Sequence, residues 1–213
     1  DGMFQYRIGV FDGRWDHATY NPNKDYLAYS VRVQFTPTML GYKGEKSWSL
    51  RDTYLGKQDV LTIGLGYNTQ KWDNAGNPRR SGTAKAWAVD AMWEQKFGTI
   101  VPNLQLGYQD MKDVPNSAGT MKLKFRTYYA QGQLLYDQVV GIGKPALAYR
   151  YEKQDDRNAN NLDVSRHGLF VNYYIKGQDA KIQFGFDHVL PKKKLVDNVK
   201  KFTDVTLALQ MQF

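Results

Sequence analysis

Strict two-residue alternation of apolar and polar side chains, repeated in ten segments, constrains this chain more than any other feature of its sequence. Neighbouring side chains of a strand point to opposite faces, so such a period makes a strand with one apolar and one polar side. Phe4, Tyr6, Ile8 and Val10 alternate with Gln5, Arg7 and Gly9, and Leu27 to Phe35 repeats the pattern. Leu61 to Asn68, Trp87 to Glu94, Leu104 to Gln109, Thr127 to Tyr136, Leu147 to Glu152, Arg166 to Ile175, Lys181 to Asp187 and Asp204 to Phe213 continue it. No segment of useful length has a helical period. The prediction is an all-β, antiparallel chain of about ten strands forming a single domain over residues 1–213.

A soluble β-sandwich also alternates, so three further features separate the two architectures. The polar parity is rich in Gln, Asn, Gly, Arg and Lys, the apolar parity carries Tyr and Trp near strand ends, and the connections alternate short and long. Transmembrane barrels combine these properties, with aromatic girdles at both interfaces and longer loops on the outside. Aromatic residues form 14% of the chain, enough to supply such girdles. Mean hydropathy is −0.61 and no run of 18 apolar residues occurs, which excludes a membrane helix but not a membrane strand. Trp87, Trp93, Tyr149 and Tyr173 are expected to face lipid or a partner subunit.

With Phe213 on the periplasmic side, the outer loops would be 12–25, 69–84, 110–124, 153–165 and 189–203. Phe97-Gly98-Thr99, Asp137 to Lys144 and Gly177-Gln178-Asp179 would be the short turns of the other side. The connection 36–58 is over twenty residues long on the side where turns should be short, and implies strand extensions or a folded-back hairpin. Asp1-Gly2 leads directly into the first strand, so either processing has removed a signal peptide or upstream sequence is missing.

Pieces along nearly the whole chain resemble the phosphate-selective porin O/P family of outer-membrane channels. They are Gly9-Val10-Phe11-Asp12-Gly13, Val33-Gln34-Phe35-Thr36-Pro37, Thr53-Tyr54-Leu55-Gly56-Lys57 and Leu61 to Tyr67. Pro145 to Glu152, Gly168 to Tyr174 and Leu207 to Phe213 complete the set. The resemblance implies a barrel of sixteen to eighteen strands, usually a homotrimer, in the outer membrane of a Gram-negative bacterium. Ten strands would then be the C-terminal portion of an N-terminally incomplete barrel; the alternative is a complete ten-strand barrel. Phe213 looks like the recognition signal for the outer-membrane assembly machinery.

Charge points to the solute. The net +8 is compatible with nucleic acid, an anionic membrane surface or anions in a pore. On the polar parity lie Arg7, Arg32, Arg150, Arg166 and Lys181, candidate pore-lining cations, with Asp90, Glu94, Glu152, Asp187 and Asp204 as counter-charges. Cross-strand salt bridges that stiffen the wall are the plain alternative to anion selection. Arg79, Arg80, Lys122, Lys124, Lys192, Lys193 and Lys194 fall in outer loops, as a cationic vestibule or as contacts to outer-membrane lipids and lipopolysaccharide. Nucleic acid is not expected as a partner, because the aromatics lie on the apolar parity, away from any stacking surface.

No enzyme is expected. His17, His167 and His188 have no metal-ligand spacing, no cysteine is available, and neither metal nor cofactor is expected. Asp187 and His188 point to opposite faces and make no dyad. Gly64 and Gly66 lie inside a strand, where missing side chains relieve crowding or permit curvature. The expected function is passive diffusion of small hydrophilic solutes, anions such as phosphate or other oxyanions preferred. A barrel scaffolding a multihaem electron-transfer protein and a ten-strand outer-membrane enzyme are the alternatives.

Overall fold

The computed structural model describes residues 2–12, 26–44, 53–74, 80–115, 121–158, 163–192 and 201–211. Each alternating segment is a strand: β1 (Phe4–Asp12), β2 (Leu27–Phe35), β3 (Val60–Asn74), β4 (Arg80–Glu94), β5 (Ile100–Pro115), β6 (Lys122–Tyr136), β7 (Lys144–Asp156), β8 (Val164–Lys176), β9 (Ala180–Pro191) and β10 (Phe202–Met211). They form one antiparallel sheet in sequence order, every strand hydrogen-bonded to its neighbours in the chain. The helical content among the described residues is one 3-10 turn, Thr38–Leu40.

Several strands run further than the alternation suggests, most of all at the long-loop end. Lys71 pairs with Thr83, Trp72 with Gly82 and Asp73 with Ser81, although residues 69–84 read as a loop. Pairing of backbone groups continues there after the apolar period has stopped, because a ladder needs hydrogen bonds and not a hydrophobic face. Likewise β5 reaches Pro115 and β7 reaches Asp156. At the other end the short turns fall where expected, with Gly98, Gly141 and Gly177 in the left-handed backbone region.

Burial alternates as the sequence does, but inside out compared with a soluble protein. Leu147 is 51% exposed between Ala146 and Ala148, each at 5%. Phe4, Tyr6, Ile8, Leu65, Leu106, Leu169 and Phe184 are exposed, while Gln34, Thr62, Asn103, Gln133 and Asn172 are buried. The exposed face carries a row of rings: Tyr67 pairs with Trp87, Trp87 lies 4.9 Å from Tyr108, and Tyr108 lies 5.1 Å from Tyr128. Beyond them Tyr151 meets His167 at 5.0 Å.

The sheet is strongly curved. Thr53 bonds Glu94 at the end of β4 and, through its carbonyl, Gln178 after β8. Four strand spacings of about 4.8 Å separate those two partners on a flat sheet, roughly 19 Å, so the wall must bend around the segment that touches both. The polar parity is therefore the concave, inner face. A closed barrel is nevertheless not formed by these ten strands: β1 and β10 pair on one side only, and β10 is exposed along nearly its whole length. Closure requires the first and last strands in hydrogen-bonding register, and no such ladder exists among the described residues.

Candidate functional site

Amide side chains cross the inner face from strand to strand. Asn103 pairs with Gln133, Gln105 with Gln131, and Asn172 with Gln183. Asn172 Nδ2 donates to Gln133 Oε1 at 3.1 Å, and the Tyr174 hydroxyl donates to the same oxygen at 2.8 Å. Asn103, Gln131, Gln133, Asn172 and Tyr174 line a recess of about 150 Å³ together with Arg150, Phe170, Lys181 and Gln183, and no carboxylate belongs to its lining. Asn172 Oδ1 is buried without a hydrogen-bond partner.

Glycine makes room for the aromatic floor of this recess. A Cβ on Gly185 would lie 2.3 Å from Phe170 Cδ1, and one on Gly168 would lie 2.5 Å from the same ring. Phe170 thus lies flat over two strands, and the Arg150 guanidinium sits 5.2 Å from its centroid, within reach of a cation–π attraction.

Three of the five pore-lining candidates, Arg32, Arg150 and Arg166, are placed by their ion pairs. Arg32 grips Asp90 with both terminal guanidinium nitrogens, Nη1 and Nη2, at 2.5 and 2.7 Å. Arg150 lies between Asp187, at 3.4 Å, and Glu152, at 3.5 Å, and Glu152 also meets Arg166 at 3.7 Å. Cross-strand salt bridges are therefore present on this wall. Lys181 has no ion pair among the described residues and stands in the recess. Arg7 is opposite Arg32 in the register, on the same face.

The long connection 36–58, where strand extensions or a folded-back hairpin are expected, holds a feature whose partner the sequence does not name. Residues 53–58 fold back against the inner face at the short-turn end. The Glu94 carboxylate, fully buried, accepts the Thr53 hydroxyl at 2.6 Å, the Tyr54 N–H at 3.0 Å and the Gly56 N–H at 3.0 Å. Asn103 Nδ2 adds a fourth bond at 2.7 Å. Leu55 and Gly56 both have positive φ, at 55° and 73°, which turns their amides towards the carboxylate. Such a concave set of N–H groups is an anion-binding nest, here filled by a side chain of the wall itself. Leu55 then packs on Val101, Leu135, Ala146 and Tyr174. This segment covers part of the inner face at the short-turn end. In the sequence it shows only as the unusual length of the connection and as Glu94, one of several acids on the polar parity.

Beside it, Asp137 receives hydrogen bonds from Lys96 and Lys144. Partial burial pushes this carboxyl up, but the two ammonium groups outweigh that and hold it below the ordinary carboxylate range. At the opposite end Lys192 binds Asp163 at 3.0 Å, and Lys122 lies 6.0 Å from the Trp72 ring. Lys124 is exposed, on the same parity as Arg126 and Tyr128. Arg80 opens β4 opposite Asn74. Arg79, Lys193, Lys194, His17 and Phe213 lie outside the described residues. Asp187 and His188 part as their adjacency requires: Asp187 faces Arg150, whereas His188 Nδ1 contacts the Thr203 hydroxyl at 2.8 Å.

Compared with known proteins, the chain matches no family model, no curated protein and no solved structure.

Proposed function

We propose that this chain forms part of the wall of an outer-membrane channel that passes small hydrophilic solutes by diffusion, with anions preferred. The observation that carries the proposal is the inversion of burial: a continuous apolar face is exposed and the polar groups line the concavity. A water-soluble protein exposing so much contiguous apolar surface would aggregate, whereas a lipid-facing wall requires it. The ring row at Trp87 and a second aromatic pair, Trp93 with Phe97 at 6.4 Å, are spaced along β4 as interfacial girdles would be. Trp87 and Trp93 are six residues apart, about 20 Å along the strand, of the order of the ~25 Å apolar band of membrane barrels.

In this proposal the open edges of β1 and β10 close through additional strands, as in the sixteen- to eighteen-strand porins the sequence resembles, and a trimer is the assembly that resemblance suggests. Arg150, Lys181 and the amides around them form the solute path, and Thr53 to Gln58 restrict its narrow end. Charges and amides replace part of a solute's hydration shell, and the uncancelled Lys181 lowers the barrier for anions. No covalent step is involved.

Reconstitution into planar bilayers under a salt gradient tests it. We expect discrete conductance steps and a reversal potential displaced towards the chloride equilibrium value. Absence of conductance, or displacement towards the cation value, would overturn the proposal.

A further inference from the structure

The exposed face carries a second site, at the long-loop edge of its aromatic row. Lys85 lies two residues beyond Trp87 on the same parity of β4, and its register partner on β5 is Lys112. Both ammonium groups are on exposed residues, and neither has an ion pair among the described residues. Like charges directly opposite each other across a ladder are destabilising, so this pair calls for an anion from outside the chain. Arg126 Nε on β6 and Arg157 Nη1, just past the end of β7, both bind one oxygen of Asp110, at 3.2 and 3.3 Å. One carboxylate cannot balance two guanidiniums, and it fixes them side by side. Arg126 is two residues beyond Tyr128, another ring of the row.

We infer that Lys85, Lys112, Arg126 and Arg157 form a docking surface for the phosphorylated headgroup of a surrounding glycolipid. The inference rests on the membrane-wall proposal above, since it takes the aromatic row as the level of the interface. The position selects the source of the phosphate. The cations project from the apolar face, about 7 Å beyond the rings along the strand, where headgroups begin and where dissolved solutes in the channel do not pass. A diffusing inorganic anion would be served by the inner face. Arginine forks suit phosphate oxygens bidentately and exposed lysines add point charge. A headgroup with two phosphates can reach both the lysine pair, on β4 and β5, and the arginine pair, on β6 and just past β7.

Purified protein in non-ionic detergent is titrated with diphosphoryl lipid A, with the same lipid after enzymatic removal of both phosphates, and with inorganic phosphate, and bound lipid is counted by native mass spectrometry. We expect the diphosphoryl form to bind at least ten-fold more tightly than the dephosphorylated form, and inorganic phosphate to compete only weakly. The double variant K85Q/K112Q should weaken binding by about ten- to thirty-fold while leaving single-channel conductance in phosphatidylcholine bilayers unchanged. Equal binding of the dephosphorylated lipid, full competition by inorganic phosphate, or an unaffected double variant would overturn the inference. Conductance recorded without lipid A reports on the channel separately, so the two proposals fail on different measurements.

Discussion

Arg32 of β2 reaches across the intervening strand to hold Asp90 of β4, and Gly64 of β3 leaves the space through which it passes. A Cβ on Gly64 would lie 2.4 Å from Arg32 Nη2 and 2.8 Å from Asp90 Oδ1. Gly66, two residues on, faces open space, its nearest neighbour being the Val31 carbonyl at 3.9 Å. We expect Gly64→Ala to displace the bidentate pair and cost about 1–2 kcal/mol, and Gly66→Ala to be nearly neutral. Thermal denaturation in detergent, followed by circular dichroism, distinguishes them; equal effects would mean that the pair is not what the glycine accommodates.

Neutralising a wall acid should sharpen selection. Asp187→Asn removes the nearer counter-charge of Arg150, so the anion-to-cation permeability ratio should rise several-fold, and Arg150→Gln should lower it. Reversal potentials read both. If the two substitutions move the potential in the same direction, these charges serve the wall and not the path.

Glu94→Gln places an amide where four donors already converge. Its NH2 would face N–H and hydroxyl donors, leaving a buried mismatch worth about 2–4 kcal/mol. We expect residues 53–58 to detach: trypsin should cut after Lys57, hydrogen exchange at Tyr54 and Gly56 should accelerate, and conductance should increase. Unchanged exchange at both amides would show that Leu55 anchors the segment without the carboxylate.

The link between the β7–β8 connection and the end of β9 is acid-sensitive. The hydrogen bond from Lys192, with that from the Asp156 backbone, holds the Asp163 carboxyl below the ordinary value of 3.8. A carboxyl lowered on folding stabilises fully above its ordinary value, and the contribution is lost as pH falls through the folded value. Exchange at the Asp156 amide, corrected for its intrinsic pH dependence, should therefore be constant from pH 7 to about pH 4.5 and rise below about 3.8. Asp163→Asn should flatten the profile.

Strand existence and parity were legible because two-residue periodicity is a local property. Arg32, Arg150, Arg166 and Lys181 could be assigned to one face without knowing any partner. Their pairing was not legible, because Arg150 meets Asp187 through a register that only the assembled sheet defines. Strand ends escaped for a related reason: Lys71 opposite Thr83 has no apolar signature. The placement of residues 53–58 was hidden most deeply, since its determinants are a single buried carboxylate and two left-handed residues, one of them Leu55. The cations beside Trp87 were visible as residues, but their common face with the rings appeared only with the ladder.

The bond between Thr53 and Gln178 spans 125 positions of sequence, and Gln210 in turn donates to the Gln178 carbonyl at 3.0 Å. This one contact must therefore wait until six later hairpin turns, from β3–β4 to β8–β9, exist. Long-range closures of this kind are slow because chain entropy is spent before any contact is gained. Strands can zip one after another, and Glu94 with Asn103 can hold residues 53–56 once β4 and β5 exist, but the bond from Gln178 forms only when the β8–β9 turn has arrived, which makes it a late event that reports on whether assembly has gone far enough.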